Sequence, residues 1–284
     1  MNNQKITVYI PTKNRCDLLQ RAVRSVQTQT YTNFEIIIVN DGSSDGTLSY
    51  LKKLVKDDLR IRYFSNSISK GACFCRNLAL KNSQSYFVTG LDDDDEFLPH
   101  RLSSLVENYD PKYAFICSGF YWDYGKYRKM VNRQPKIFSI TDILNYNEAS
   151  NQVLVERERL LEIGRFDEGF VACQDYDVWT RLITKYGNAQ RISQISYIVH
   201  RDKNLERITK PSNWLEGHKQ FMKKHQSLMT DINMVNQQFK IIMVNNERLG
   251  LCLFLKIANK GLLFMKFRYF IISNVRTIMH LNSG

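Results

Sequence analysis

Residues 34–46 read Phe34-Glu-Ile-Ile-Ile-Val-Asn-Asp-Gly-Ser-Ser-Asp-Gly46. The stretch begins with a nearly continuous apolar run, which is typical of a strand buried on both faces of a parallel sheet. It ends in asparagine, aspartate, glycine and serine, which are the residue types that favour turns. We therefore predict a buried strand over residues 34–39 that delivers polar side chains at its carboxyl end.

The sequence on either side alternates between predicted strands and predicted helices. Residues 6–10 are apolar, and residues 18–26 carry apolar side chains at helical spacing. Further strands are predicted at residues 61–64, 86–89 and 113–117, and further helices at residues 72–81 and from Pro99. This alternation indicates an α/β fold in which helices cover both faces of a mostly parallel sheet.

Polar loops follow three of these strands, at residues 11–15, 40–46 and 90–96. Ligands of open parallel sheets bind outside the carboxyl ends of the strands. We therefore expect the three loops to meet at one edge of the sheet and to form a ligand site.

The second half of the sequence is less regular. It predicts a strand at residues 152–155, a helix at 174–186 and a strand at 192–200, and it is helical from residue 213 onward. We predict a sheet-containing domain over residues 1–204 and a basic helical extension over residues 205–284.

Two thirds of the net positive charge lies in this extension. The chain has a net charge of +12, and residues 205–284 contain twelve lysines and arginines but only four acids. Such asymmetry indicates an anionic partner, either membrane phospholipid or nucleic acid. The six cysteines form no Cys-x-x-Cys pair, and the first residues carry no signal-peptide pattern, so we expect a protein of the reducing cytoplasm.

Four consecutive acids, Asp92-Asp-Asp-Asp95, follow the predicted strand at residues 86–89. An acidic run by itself is usually a solvated loop. This run stands at the ligand-binding edge, where like charges repel one another unless a cation is present. Because Mg²⁺ commonly bridges one or two carboxylates to substrate phosphates, the position favours a site for a metal ion and a diphosphate.

Five stretches in this order resemble the successive signatures of family 2 glycosyltransferases. They are residues 8–15, 35–47, 71–77, 91–99 and 174–182, reading VYIPTKNR, EIIIVNDGSSDGT, GACFCRN, LDDDDEFLP and QDYDVWTRL. The resemblance implies a GT-A type fold and an inverting transfer of a sugar from a nucleoside diphosphate donor, by default a UDP-sugar. It also implies Mn²⁺ or Mg²⁺ as cofactor, and a saccharide or lipid-linked oligosaccharide acceptor in the synthesis of cell-surface polysaccharide or lipopolysaccharide.

The resemblance also assigns site residues. The nucleotide-binding positions are Pro11, Thr12, Asn14, Arg15, Asp41, Arg76, Asp92 and Asp93. The metal contact is expected chiefly from Asp94, with Asp95 extending the family's Asp-x-Asp element by one residue. For Arg76 the alternative is a surface salt bridge.

The catalytic base of the family is an acid at the start of a helix, which places it at Asp175 or, as the alternative, at Asp177. An N-cap role for Asp175 is compatible with this assignment, because helix amide dipoles favour an ionised carboxylate. His200 is expected to reach the metal or the diphosphate, and its alternative is a structural histidine.

Residues 249–281 are apolar but interrupted by basic side chains, and no uninterrupted window is long enough to span a bilayer. Treated as one helix, the stretch places Lys256, Lys260 and Lys266 on a polar side and Phe264 and Phe267 on the apolar side. It is predicted to lie on the inner surface of the cytoplasmic membrane. The alternative is that it packs on the catalytic domain or on a second subunit.

Three rival functions remain at this stage. A nucleic-acid-binding protein fits the charge, but the acidic run would repel phosphate in the absence of a metal. A sugar nucleotidyltransferase would carry a glycine-rich basic loop after the first strand, where this chain has Pro-Thr-Lys-Asn-Arg. A non-enzymatic carbohydrate-binding relative is disfavoured because Asp94 and Asp175 are both present.

Overall fold

The computed structural model describes residues 3–149, 152–201 and 211–281. These residues divide into two compact units. The first contains the described residues up to 140, from 148 to 169 and from 174 to 201, and the second contains residues 141–147, 170–173 and 211–281. The predicted boundary at residue 204 lies outside the described residues.

The strands are, in chain order, β1 (Ile6–Thr12), β2 (Phe34–Asp41), β3 (Ile61–Asn66), β4 (Phe87–Gly90), β5 (Glu96–Phe97), β6 (Ile116–Asp123), β7 (Arg128–Val131), β8 (Lys136–Phe138), β9 (Val155–Glu156) and β10 (Ala189–His200). The helices are α1 (Cys16–Gln27), α2 (Thr47–Asp57), α3 (Ala72–Asn82), α4 (Arg101–Glu107), α5 (Ile140–Asn145), α6 (Arg157–Glu162), α7 (Gln174–Tyr186), α8 (Pro211–His225), α9 (Asp231–Val244), α10 (Leu251–Ala258) and α11 (Leu263–Leu281).

One sheet of the first unit has the strand order β3-β2-β1-β4-β9. Its first four strands are parallel, and β9 joins β4 antiparallel at the edge. Every residue of β2 is buried, as the apolar run predicts, because helices cover both faces of a parallel sheet. The expected α/β fold with a parallel sheet and flanking helices is confirmed.

A second sheet has the order β5-β10-β6-β7, with β8 also paired to β10. Only the pairing of β10 with β6 is parallel among those described. The strand predicted at residues 113–117 begins later, at Ile116. Phe115 instead packs its buried ring against Phe138 and Trp179, at centroid distances of 5.9 and 5.6 Å. Strand β7 was not predicted, because its exposed, charged edge has no apolar alternation.

The second unit contains a helix whose buried side is polar. In α9, Asn233, Asn236 and Gln237 are fully buried. The amides of Asn233 and Asn236 donate to Asn145 Oδ1 at 2.8 and 2.7 Å, and that of Gln237 donates to the Leu144 carbonyl at 2.5 Å. These bonds explain why residues 141–147 group with the C-terminal helices.

The single helix expected over residues 249–281 is wrong, since the stretch forms α10 and α11. Lys266, expected on the polar side, is fully buried, and its Nζ donates to the Ile257 carbonyl at 2.8 Å, at the end of α10. Phe264 and Phe267, expected on the apolar side, are exposed. No helix in the described ranges is both long and apolar enough to cross a membrane.

Candidate active site

The loops after β1, β2 and β4 converge, as expected from the parallel sheet. Pro11 and Thr12 end β1, and the Thr12 hydroxyl donates to Asp93 Oδ2 at 2.8 Å. The backbone N–H of Asn14 donates to Ser43 Oγ at 2.9 Å. The candidate residues from these three loops therefore share one edge of the sheet.

The four acids of the run alternate between buried and accessible. Asp93 and Asp95 are 4% and 3% exposed. The side chains of Asp92 and Asp94 are 27% and 34% exposed. Only the second pair can offer its carboxylates to a ligand without rearrangement of the loop.

The buried pair holds the loop in place. Asp93 and Asp94 share the guanidinium of Arg15, whose Nη1 lies 3.1 Å from Asp93 Oδ1 and 2.8 Å from Asp94 Oδ2. Asp95 accepts a hydrogen bond from the Tyr197 hydroxyl at 2.9 Å and another from the backbone N–H of His200 at 3.1 Å. The acidic run is thus tied both to the first loop and to β10.

The acids are close enough to oppose each other's ionisation. Burial raises the pKa of Asp93 to about 6, although Thr12 and Arg15 oppose the shift. Burial also raises the pKa of Asp92, with Arg76 opposing and the charge of Asp94 adding to the rise. A bound cation would favour the ionised carboxylates.

The accessible acids fit a hard divalent cation. No group of three His, Cys, Asp or Glu residues that could hold a metal ion occurs in the described part of the chain. Mg²⁺ needs no such group where one or two carboxylates act together with substrate phosphates and water. Asp92 and Asp94 supply carboxylates of this kind, and Arg15 occupies one oxygen of Asp94.

Asp41, at the end of β2, organises the loop that precedes α3. Its carboxylate accepts hydrogen bonds from the Asn66 amide, the Ser69 hydroxyl and the backbone N–H groups of Lys70 and Gly71, at 2.6–2.9 Å. Burial opposes ionisation of Asp41, but these bonds outweigh it and lower its pKa to about 2. Asp41 therefore carries a negative charge at neutral pH and fixes the loop backbone.

Arg76 and Asp92 form the floor of the site. Arg76 is only 9% exposed, so it is not in a surface salt bridge, and its Nη2 donates to Asp92 Oδ1 at 3.0 Å. Gln152 Nε2 donates to the same oxygen at 3.3 Å. A Cβ at Gly90 would meet Gln152 Oε1 at 2.0 Å and the Tyr9 ring at 2.5 Å, so only glycine admits this packing.

Two carboxylates in the first turn of α7 have different surroundings. Asp177 is fully buried and paired with Arg181, whose Nη2 lies 2.8 Å from its Oδ2. Asp175 is partly exposed. Burial raises the pKa of Asp175 to about 6, while the charge of Arg76 lowers it and that of Asp92 raises it. Of the two candidate bases, only Asp175 is both accessible and electrostatically linked to the acidic run.

His200 lies at the end of β10, next to the acidic run. Its Nε2 is 2.7 Å from Glu96 Oε1, and its backbone N–H binds Asp95. The imidazole is thus held by a neighbouring carboxylate.

Several residues of the site have no strong signal in the sequence. Gln152 and Tyr197 bind the acidic run across 60 and 102 residues, and neither belongs to one of the five family-like stretches. The available signal is Gly90, since a glycine within a strand often marks a close approach of another group.

Comparisons with known proteins identify the family of the chain. The sequence profile of "Glycosyl transferase family 2" matches residues 7–168, and that of "Glycosyltransferase like family 2" matches residues 120–235. The chain is 31% identical over 256 residues to the putative colanic acid biosynthesis glycosyl transferase WcaA of Escherichia coli K12, covering 87% of this chain and 91% of WcaA. It is 42% identical over 113 residues to the GalNAc(5)-diNAcBac-PP-undecaprenol beta-1,3-glucosyltransferase of Campylobacter jejuni, covering 39% of this chain and 37% of that protein.

Solved structures share the fold at low sequence identity. Residues 1–349 of S. aureus TarS in complex with UDP-GlcNAc match with a TM-score of 0.64 and 15% identity, covering 95% of this chain and 89% of TarS 1–349. The mannosyltransferase PcManGT of Pyrobaculum calidifontis, in complex with GDP-Man and Mn²⁺, matches with a TM-score of 0.57 and 15% identity, covering 98% of this chain and 75% of PcManGT.

The mixed α/β fold, with a parallel sheet flanked by helices, is the GT-A type fold that these solved structures share. The chain belongs to glycosyl transferase family 2, because the family profile covers more than half of it and a relative at 31% identity covers most of it. The family expected from the five stretches is confirmed. The sugar nucleotidyltransferase and the non-enzymatic relative are not favoured.

Proposed function

We propose that the protein transfers a sugar, with inversion, from a UDP-sugar to a hydroxyl of a saccharide or lipid-linked oligosaccharide during cell-surface polysaccharide synthesis in the cytoplasm. One observation carries the proposal. Accessible Asp92, buried Arg76 and partly exposed Asp175 form one electrostatic cluster at the ligand-binding edge. The UDP-GlcNAc complex of TarS supports a UDP-sugar donor, and the undecaprenol named for the C. jejuni relative supports a lipid-linked acceptor.

We assign the donor nucleotide to the loops after β1 and β2. Residues 1–204 are assigned as the catalytic domain. Pro11, Thr12 and Asn14 would border the nucleotide, and Asp41 would support the pocket by fixing the loop before α3. Arg15 lies between Asp93 and Asp94. Its guanidinium adds positive charge where a diphosphate would meet the acidic run.

We assign Mn²⁺ or Mg²⁺ to Asp94, with Asp92 beside it, since these are the accessible carboxylates of the run. When bound, the ion supplies charge neutralisation for the leaving diphosphate. His200 is the candidate additional ligand. To bind the ion through Nε2, its imidazole must give up the hydrogen bond to Glu96. Asp93 and Asp95 hold the loop in position through Thr12, Arg15 and Tyr197.

Asp175 is the proposed general base. A base is most effective when its pKa lies near the working pH, and burial raises the pKa of Asp175 to about 6, with the charge of Arg76 keeping it from rising further. The Asp175 carboxylate would take the proton of the acceptor hydroxyl as the hydroxyl oxygen attacks the anomeric carbon. The bond from that carbon to the diphosphate oxygen breaks on the opposite side, so a single displacement inverts the configuration.

The test is a thermal-shift panel of UDP, GDP, ADP and UDP-sugars, each with and without Mn²⁺, on the wild type and on Asp94→Asn. We expect uridine nucleotides to raise the melting temperature most, and the added effect of Mn²⁺ to be lost in Asp94→Asn. Asp58→Asn is the matched control, because Asp58 pairs with Arg60 just before β3 begins, at the end of that strand opposite the site. Equal melting with every nucleotide would reject the donor assignment.

A further inference from the structure

Helix α11 has two apolar faces, and only one is used inside the second unit. Tyr269 is 9% exposed and belongs to a small core with Phe239, Leu249 and Ile257. The other face is open to solvent, with exposures of 79% for Phe264, 49% for Phe267, 45% for Ile271 and 49% for Val275. The spacing of three and four residues places these four side chains along one stripe of the helix.

Helix α10 packs beside this stripe. Phe254 stacks on Phe270 at a centroid distance of 4.8 Å and lies 6.2 Å from Phe267. Leu251 and Leu255, on the same helix as Phe254, are 60% and 63% exposed. We call six of the exposed apolar residues of α10 and α11 the C-terminal apolar surface: Leu251, Leu255, Phe264, Phe267, Ile271 and Val275.

The C-terminal apolar surface is not needed to complete the core of its own unit, because the inward faces of α10 and α11 already form it. Large contiguous apolar patches on a protein surface usually mark sites of protein or membrane interaction. The physical question is therefore which partner covers this one.

The charge of the surrounding sequence selects the partner. Residues 248–284 contain six lysines and arginines and no aspartate or glutamate. Lys256 directly follows Leu255, Arg268 directly follows Phe267, and both basic residues are exposed. A second copy of this surface would bring like charges together, whereas anionic lipid headgroups would neutralise them.

We propose that the C-terminal apolar surface docks on an anionic phospholipid bilayer, with its apolar side chains in the headgroup and upper acyl region and with Lys256 and Arg268 at lipid phosphates. Apolar burial and basic contacts are the two signals that together give stable peripheral binding. The docking is independent of the sugar and of the catalytic assignments, so it can fail or succeed apart from the proposed function.

The experiment is co-sedimentation of the full chain with vesicles of phosphatidylcholine, with and without phosphatidylglycerol. We expect binding to the phosphatidylglycerol vesicles and little to phosphatidylcholine alone. Phe264→Ser should weaken binding about tenfold, and Lys256→Gln and Arg268→Gln about fivefold each. Leu59→Ser is the matched control, because Leu59 is 93% exposed and lies outside the surface.

Folding of each variant is checked by its melting temperature, which should match the wild type because every mutated side chain is exposed. Absence of binding to phosphatidylglycerol vesicles would overturn the proposal, as would equal weakening by Leu59→Ser and Phe264→Ser. A dimer in analytical ultracentrifugation that Phe264→Ser converts to a monomer would also overturn it, since a second copy would then cover the surface.

Discussion

Arg76 Nη2 lies 3.0 Å from Asp92 Oδ1, and the same arginine is the charge that holds down the pKa of Asp175. The buried guanidinium of Arg76 therefore interacts with two carboxylates, Asp92 and Asp175, that lie more than eighty residues apart in the sequence. The relationship links the first residue of the acidic run to the candidate base.

Replacing Arg76 should change the pH dependence of catalysis. The base must be deprotonated to act, and Arg76 lowers the pKa of Asp175. In Arg76→Met this pKa should rise above its present value of about 6, so the acidic limb of the kcat profile should move to higher pH. Arg60→Met, which removes a pair with Asp58 instead, should leave the limb in place. An unchanged pH profile of kcat in Arg76→Met would show that Arg76 does not influence the ionisation of the base.

Substitution of Asp175 and of Asp177 in α7 should have different effects. Asp175→Asn should lower kcat by at least about a hundredfold, the usual contribution of a general base, with donor affinity and melting temperature unchanged. Asp177→Asn should instead destabilise the protein by about 3 kcal/mol, because it removes one partner of a buried ion pair with Arg181. Turnover and chemical denaturation measure the two effects. A folded Asp175→Asn variant with normal turnover would show that another group takes the proton.

The metal assignment predicts a graded series. Asp94→Asn should raise the Mn²⁺ concentration for half-maximal activity by at least about tenfold, as expected for loss of a charged ligand or its support. His200→Ala should raise it less, because the imidazole is now held by Glu96. His100→Ala is the control, since His100 contacts the Ile195 carbonyl outside the acidic run. An unchanged Mn²⁺ titration in His200→Ala would reject His200 as a ligand.

Gly90 should tolerate no side chain. Gly90→Ala would place a methyl group 2.0 Å from Gln152 Oε1 and 2.5 Å from the Tyr9 ring. Overpacking of this kind costs about 2 kcal/mol, and displacement of Gln152 should also lower turnover. The matched control is Gly250→Ala, which meets no atom within 4 Å and should change stability by less than about 0.5 kcal/mol. Equal unfolding midpoints for the two variants would contradict the packing described for Gly90.

Sequence periodicity predicted the parallel strands well and the second sheet poorly. Strands β1, β2 and β4 are buried on both faces, so their composition alone marks them. Strand β7 is an exposed edge whose pairing with β6 depends on residues elsewhere in the chain. Sequence periodicity also failed to predict the burial of Lys266 in α11. That burial depends on the hydrogen bond from Lys266 Nζ to the Ile257 carbonyl of α10.

By itself, the sequence determined the family, the presence of a mostly parallel sheet and the convergence of its loops, because these follow from local motifs and from the geometry that all parallel sheets share. The tertiary structure alone decided which acids of the run are accessible, which carboxylate of α7 is paired, and that Gln152 meets Asp92. Each of these outcomes depends on burial and charge contributed by residues far apart in the chain. A local sequence pattern does not indicate which distant side chains come into contact.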